Sequence, residues 1–351
     1  MSSKKLSDVN LSVLDLVPIL SGKTPADAFR NSLDLARHAE HFGFKRFWMA
    51  EHHNMAGIAS SATSVLIGYI AGGTSTIRVG SGGVMLPNHA PLVIAEQFGT
   101  LESLYPDRID LGLGRAPGTD QLTARALRRD LRGAVDEFPK NVEEIQHYFA
   151  APDPTAHVRA VPGEGLKVPI WILGSSTFGA QLAAMLGLPY AFASHFAPAS
   201  LHVALKVYRD NFKPSENLKE PYAMACVNVI AADTDAEALR LSTTLYTSFL
   251  NVIRGTAQPL QPPVDSMEDR WDGSERYAVH QMLRYSFVGS PATVKEELQA
   301  FVDETQVDEI MVATSVFDHA ARLHSYEILS ELGVKAQNLG LTDQAVSATK
   351  I

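Results

Sequence analysis

The chain has 351 residues, of which 46% are hydrophobic, and a formal net charge of −9 at neutral pH. This length and apolar content suffice for one large core, as in an α/β barrel. The acidic balance, with no basic run longer than two residues, argues against a nucleic-acid surface, which needs clustered Lys and Arg.

Apolar runs alternate with helical patterns along the chain. Eight runs have the character of buried strands, at 11–16, 44–49, 77–87, 108–114, 169–174, 189–193, 221–231 and 309–313. Helical patterns follow at 24–43, 61–72, 91–105, 134–149, 180–186, 199–212, 235–254, from 290 onward, and at 319–332. Eight strands alternating with helices, without a glycine fingerprint after the first strand, predict a (β/α)8 TIM barrel rather than a doubly wound sheet.

Two connections are longer than the others. Residues 117–129 and 151–165 intervene between strands 4 and 5, and residues 256–276, rich in Pro, Asp and Gln, follow strand 7. We therefore predict one barrel domain over 1–351 with insertions after strands 4 and 7. Because a long structureless insertion in a compact barrel is usually functional, we expect 256–276 to be a mobile lid over the mouth.

The single cysteine, Cys226, lies in an apolar run, which predicts a core thiol and excludes an internal disulfide or a cysteine-based zinc site. The first ten residues are polar, and no apolar stretch reaches membrane-spanning length. We expect a cytoplasmic protein whose partners are small molecules, with neither nucleic acid nor membrane involved.

Ligands of such barrels lie at the carboxyl ends of the strands, so the residues that follow each apolar run are candidates for the site. In this chain they are Asp15, Glu51, His52, His53, Met85, Asn88, Arg115, Gly174, Ser175, Ser176 and His195.

Strand 5 ends in Gly174-Ser175-Ser176, directly before a helical pattern. Glycine allows close approach of a ligand to the backbone, and the serines lie beside the unpaired N–H groups at the helix start, which suits a phosphate. Arg115, at the end of the neighbouring strand, can add a guanidinium to the same phosphate. The alternative is a simple helix N-cap that binds no ligand.

Glu51-His52-His53 follows strand 2. Adjacent histidines on an extended chain point to opposite faces, and the sequence shows no further histidine or carboxylate at ligand spacing, so we expect no metal. One imidazole facing the mouth can act as a general acid or base. The alternative is a histidine hydrogen-bonded beneath the rim.

Four segments, 47–54, 79–89, 107–115 and 174–176, together resemble the bacterial luciferase-like flavin-dependent monooxygenases, over about residues 10–332. The resemblance implies a barrel that uses reduced FMN (FMNH2) and O2, a separate NAD(P)H-dependent flavin reductase, and a homodimer formed by helices of the first βα units. It implies flavin and phosphate contacts, and it assigns the catalytic histidine to His52. The implied contacts are Met85, Asn88, Arg115, Gly174, Ser175 and Ser176.

Two details of this resemblance concern glycines. The reactive cysteine that the luciferase catalytic subunit carries before its phosphate arginine is replaced by Gly114, so no thiol chemistry is expected. The pair equivalent to Gly82-Gly83 is joined in the family by a non-proline cis peptide. The alternative is a β-bulge with trans peptides.

The leading hypothesis is an FMN-dependent monooxygenase that oxygenates a hydrophobic small molecule such as an aldehyde. A deazaflavin-dependent hydride-transfer enzyme and a non-catalytic flavin-binding protein are the alternatives. A metal-dependent hydrolase barrel is disfavoured because its ligand set is not evident.

Overall fold

The computed structural model describes residues 4–116, 120–127 and 137–332. Their strands are β1 Asn10–Asp15, β2 Arg46–Met49, β3 Arg78–Ser81, β4 Val84–Met85, β5 Ile109–Gly114, β6 Ile170–Gly174, β7 Tyr190–Phe192, β8 Ala223–Ala231, β9 Ser286–Gly289 and β10 Glu309–Ala313.

Helices alternate with these strands. They are α1 Pro25–His41, α2 Thr63–Gly72, α3 Pro91–Leu104, α4 Gln121–Leu127, α5 Phe138–Phe149, α6 Thr177–Leu186, α7 Leu201–Asn211, α8 Asp235–Ile253, α9 Gly273–Met282, α10 Pro291–Thr305 and α11 His319–Glu331. Local sequence explains several starts: α1 opens with Pro25 behind a Thr24–Asp27 capping box. Among the described helices, none combines the length and apolarity needed to cross a membrane.

The strands close into a parallel barrel. Neighbours follow the order β10, β1, β2, β3, β5, β6, β7, β8, and a further parallel pairing of β8 with β10 completes the ring. β4 continues the line of β3 and pairs with β5. The predicted (β/α)8 barrel is confirmed, and its eight walls are the eight predicted apolar runs.

Three elements were not predicted. β9 pairs with the far half of β8, from Asn228 opposite Ser286 to Ala231 opposite Gly289, because β8 extends beyond its pairing with β10. α9 begins inside the predicted lid, where Asp272 and Glu275 form a capping box. α4 lies within the predicted polar loop at 117–129, of which 117–119 and 128–129 lie outside the described residues.

Apolar side chains fill both layers of the fold. The larger cluster lies between strands and helices, and a smaller one, including Leu14, Trp48, Trp171, Met224 and Met311, fills the barrel interior. The rings of Trp48 and Trp171 meet edge to face with centroids 5.1 Å apart. The interior is therefore a packed core below the mouth.

A buried network of charges lies at the amino ends of the strands, opposite the mouth. Arg46 Nη1 lies 2.6 Å from Asp110 Oδ2 and Arg46 Nε lies 3.0 Å from Glu309 Oε1, while Arg78 Nη2 lies 2.7 Å from Asp110 Oδ1. Burial alone would raise the pKa of Asp110, but the guanidinium groups of Arg46 and Arg78 outweigh it and lower that pKa. The network joins β2, β3, β5 and β10.

Arg46→Met should destabilise the fold by about 3–5 kcal/mol, because it removes the guanidinium that the buried carboxylates of Asp110 and Glu309 share. Asp110 then keeps only Arg78 as a charged partner, and the nearest cation to Glu309 is Lys45, whose Nζ lies 3.7 Å from Oε2. Urea unfolding at neutral pH measures this loss. Arg30→Met, which removes the exposed partner of Asp27 on α1, is the matched control and should change little. Equal and small losses in both variants would show that Arg46 is not needed for stability.

Candidate active site

A cavity of about 440 Å³ opens at the carboxyl ends of the strands, and its wall is mostly apolar. Seven of the eleven candidate residues line it together: His52, Met85, Arg115, Gly174, Ser175, Ser176 and His195. Asn88 does not belong to this wall, because it is buried in the short 3-10 turn Leu86–Asn88 that follows Met85. The fold therefore gathers seven of the eleven candidates in one chamber.

Arg115 carries a positive charge that is not balanced by a carboxylate of the described residues. It follows β5, and its guanidinium carbon lies 4.0 Å from the centroid of the Phe178 ring, on α6. β5 and β6 pair in register to Gly114 opposite Leu173, so Arg115 emerges beside Gly174 and the serines that follow it. This charge is available to an anion in the cavity.

The start of α6 has the features of an anion site. Ser176 occupies the N-cap position, but its hydroxyl forms no capping hydrogen bond, so the simple capping alternative is not what the structure shows. Its carbonyl accepts a hydrogen bond from the Tyr190 hydroxyl at 3.1 Å, which fixes the backbone, and Ser175 is exposed to the cavity. The first amides and hydroxyls of the helix thus face the same space as Arg115.

The junction between β3 and β4 is confirmed as a cis peptide between Gly82 and Gly83. A Cβ atom at Gly82 would lie 2.8 Å from Leu14 Cδ1, and one at Gly83 would lie 2.8 Å from the Gly112 carbonyl oxygen. Both positions therefore require glycine for close packing, and both line the cavity beside Met85.

Glu51 connects three segments at the mouth. It is 2% exposed, and its Oε1 lies 2.8 Å from Nε2 of both His53 and His89, while Oε2 accepts the Met85 N–H at 3.1 Å. Burial alone would raise the pKa of Glu51, but the hydrogen bonds from His89, His53 and Met85 outweigh it and leave the pKa lowered. Glu51 thereby fixes Met85 and the chain on both sides of His52.

This cluster corrects one expectation from the sequence, that no carboxylate lies at ligand spacing from the histidines. The ligand atoms of Glu51, His53 and His89 all lie within 4.8 Å of one another. Sequence spacing missed the group because His89 comes from the segment after the next strand. The 2.8 Å separations are ordinary hydrogen bonds, which account for the arrangement without an ion.

Comparisons with known proteins agree with this geometry. The family model of the luciferase-like monooxygenases matches residues 10–309. The chain belongs to the luciferase-like monooxygenase family. It is 57% identical over 332 residues to a protein of Escherichia coli K12 named luciferase-like monooxygenase, covering 95% of this chain and 98% of that one.

Other members and structures extend the comparison. The N-acetyl-S-alkylcysteine monooxygenase of Bacillus subtilis is 32% identical over 338 residues, covering 94% of this chain and 99% of that one. The structure of apo-MsnO8 has a TM-score of 0.86 at 38% identity, covering 92% of this chain and 98% of that one. The oxygenating constituent of 3,6-diketocamphane monooxygenase from Pseudomonas putida, solved with FMN, shares the fold with a TM-score of 0.70 at 16% identity, covering 92% and 97% of the two chains.

Among the polar residues of this family member's cavity that were missed from the sequence are Arg322 and Asn228. Arg322 reaches the wall from α11, and its Nη2 lies 2.9 Å from Asp15 Oδ1. Asn228 lies inside β8 rather than at its end. Neither residue follows an apolar run, so no local sequence pattern marks it as a site residue. Arg322 also pairs with Asp15 across nearly the whole length of the chain.

Glu51→Gln should reduce stability at neutral pH by about 1–3 kcal/mol, the range for hydrogen bonds to a buried charge. The pKa of Glu51 is lowered from 4.5 in the folded protein, so the ionised carboxylate stabilises the fold above that pH. This stabilisation is lost as the pH falls through the folded pKa.

Urea unfolding from pH 8 down to well below pH 4.5 tests this. The difference in unfolding free energy between wild type and Glu51→Gln should be constant at neutral pH and should shrink on acidification. Glu143→Gln, on the exposed face of α5, is the control. If the difference in unfolding free energy does not depend on pH, the ionised carboxylate of Glu51 does not stabilise the fold as proposed.

Proposed function

We propose that this protein is a flavin-dependent monooxygenase that binds reduced FMN in the cavity and, with O2, oxygenates a hydrophobic small molecule such as an aldehyde. The observation that carries the proposal is Arg115, unbalanced by any described carboxylate and placed beside the start of α6. A phosphate is the anion that this combination of guanidinium, hydroxyls and helix amides suits best.

The residues present fit FMN. Arg115, Ser175 and Ser176 would hold the phosphate, Gly174 would allow close approach of the ligand, and Met85 would contact the flavin ring. Asn88 contributes to the proposed flavin site only indirectly, as part of the turn that follows Met85. The named relatives support oxygenation as the reaction, and the neighbour solved with FMN shows this fold holding that cofactor.

When bound, the reduced flavin supplies the reactivity toward O2. The apolar wall of the cavity excludes water from the reacting groups. His52 faces the cavity, and a ring nitrogen of its imidazole would hold or deliver a proton to the reacting oxygen. The hydrogen bonds of Glu51 and His53 on either side of it hold that part of the chain in place.

The defining experiment adds reduced FMN and O2 to the protein with a panel of long-chain aldehydes. We expect product that depends on the aldehyde, above the hydrogen peroxide background. Turnover that needs a reduced deazaflavin and no O2 would instead identify a hydride-transfer enzyme. Tight FMN binding with no turnover on any cosubstrate would identify a flavin-binding protein.

Arg115→Ala should weaken FMN binding by about 1.5–3 kcal/mol, roughly a 10- to 150-fold rise in Kd, because a charge-assisted bond to the phosphate is lost. Fluorescence titration of FMN measures this. Arg125→Ala, on the exposed surface of α4, is the matched control. An unchanged Kd would remove Arg115 from the phosphate site.

His52→Ala should lower turnover by about a hundredfold or more while FMN affinity stays within a few fold, as expected for loss of a general acid or base. Product formation and FMN titration are measured on the same preparation. His41→Ala, at the exposed end of α1, is the control. Parallel losses of rate and affinity would show that His52 binds the flavin rather than transferring a proton.

The segment 256–276 borders the mouth, and we propose that it is a lid. Ala257, Gln258 and Leu260 line the cavity. The Leu260 N–H donates to the Ile19 carbonyl at 2.8 Å, and its own carbonyl accepts the Ser21 N–H at 2.9 Å, so opening must break these bonds. Limited proteolysis should cut the segment without flavin and spare it with FMN. Resistance equal to that of the barrel helices in both states would rule out a lid.

We further propose that the protein works as a homodimer in the cytoplasm, supplied by a separate NAD(P)H-dependent flavin reductase. The exposed apolar side chains of Val65 (70%), Tyr69 (42%) and Val93 (43%) on the adjoining helices α2 and α3 support association through the first βα units. Light scattering should give twice the 38.1 kDa chain mass.

A further inference from the structure

His195 lies opposite His52 on the cavity wall. It follows β7, which is four strands from β2 in either direction around the closed barrel. Both imidazoles line the cavity, and they are close enough for His52 to influence the titration of His195. The proposed FMN contacts occupy the ends of β4, β5 and β6, so the wall that carries His195 is left for the organic substrate.

Three other polar residues of the cavity lining, Asn228, Thr314 and Arg322, are already bound to protein. The Asn228 amide nitrogen donates to the His195 carbonyl at 2.7 Å and to Ser286 Oγ at 3.1 Å. The Thr314 hydroxyl donates to the Val229 carbonyl, and Arg322 bonds the Thr314 carbonyl and Asp15. The Asn228 bond holds the His195 backbone, and the His195 ring has no hydrogen-bond partner among the described residues.

The two ring nitrogens of His195 have different surroundings. Nδ1 is enclosed by protein and has no hydrogen-bond partner among the described residues. Nε2 has none among them either, but it is not enclosed, and the residue lines the cavity. A buried N–H without a partner is rarer and less tolerated than a buried acceptor, so the proton belongs on Nε2.

We propose that His195 Nε2–H donates a hydrogen bond to an oxygen of the organic substrate. This inference rests on the proposed function and narrows its substrate class to apolar molecules that carry an acceptor oxygen, such as a carbonyl. Burial, and secondarily the proximity of His52, lowers the pKa of His195 to about 3, so the ring is neutral at physiological pH. A neutral donor suits an uncharged acceptor better than a carboxylate.

Equilibrium binding of two ligands of nearly equal shape tests the proposal. The probes are octan-2-one and 2-methyl-1-octene, in which a methylene group replaces the ketone oxygen. Headspace gas chromatography measures free ligand over wild type, His195→Leu and His195→Gln, each saturated with oxidised FMN. His202→Gln on α7, whose imidazole contacts Tyr285 and Glu304 away from the cavity, is the control.

The ratio of the two dissociation constants is compared between variants, so that the different hydration of the probes cancels. His195→Leu should shift this ratio against the ketone by roughly 3- to 10-fold, the effect of one hydrogen bond. His195→Gln should keep the ratio within about twofold of wild type, because its amide N–H can reach the position of Nε2 and donate the same hydrogen bond.

An unchanged ratio in His195→Leu overturns the proposal, and so does failure of the wild type to bind either probe. A parallel loss of FMN affinity also overturns it, because His195 would then act on the flavin. If His195→Leu does not fold, His195→Asn replaces it, since its shorter amide does not reach the Nε2 position. The assay measures binding and needs no turnover. The His195 proposal can therefore be contradicted while oxygenation is observed, or supported while no oxygenation is observed.

Discussion

The structure depends on the guanidinium of Arg46, which is held between two carboxylates inside the amino end of the barrel. Asp110 on β5 and Glu309 on β10 reach it from opposite sides, and Arg78 and the Trp48 indole N–H complete the environment of Asp110. A buried charge is tolerated only when it is paired, so the network favours an arrangement of strands that brings these charges together. Because this network stabilises the amino end of the barrel, the carboxyl end can contain an open cavity.

Polar groups at the two ends of the barrel therefore have different surroundings. At the amino end the buried charges are matched by opposite charges. At the mouth, Arg115 lacks a carboxylate among the described residues and His195 has ring nitrogens without partners there, while Glu51 holds the neighbouring segments rigid through His53, His89 and Met85. Unsatisfied groups destabilise a protein unless a ligand completes them, which supports placing the proposed ligands at this end.

Sequence reasoning succeeded where the physical cause is local. Each barrel strand is buried on both faces and reads as an apolar run, and the residues after those runs supplied Arg115, His52 and Ser175 for one cavity. It failed where the cause is long-range. β9 exists because β8 extends beyond its pairing with β10, and Arg322 enters the cavity from a helix to contact Asp15.

The net charge of the sequence likewise does not predict the charge inside the cavity. The chain carries −9, yet the described lining of the cavity contains Arg115 and Arg322 and no acidic side chain. Asp15 compensates Arg322 from behind the wall, so the field that an entering ligand meets is set mainly by Arg115. Local arrangement in a low-dielectric cleft outweighs distant surface charges, which water and salt screen. An acidic protein can in this way present a cationic entrance, which supports the proposed pair of ligands, an anionic cofactor and an uncharged, apolar substrate.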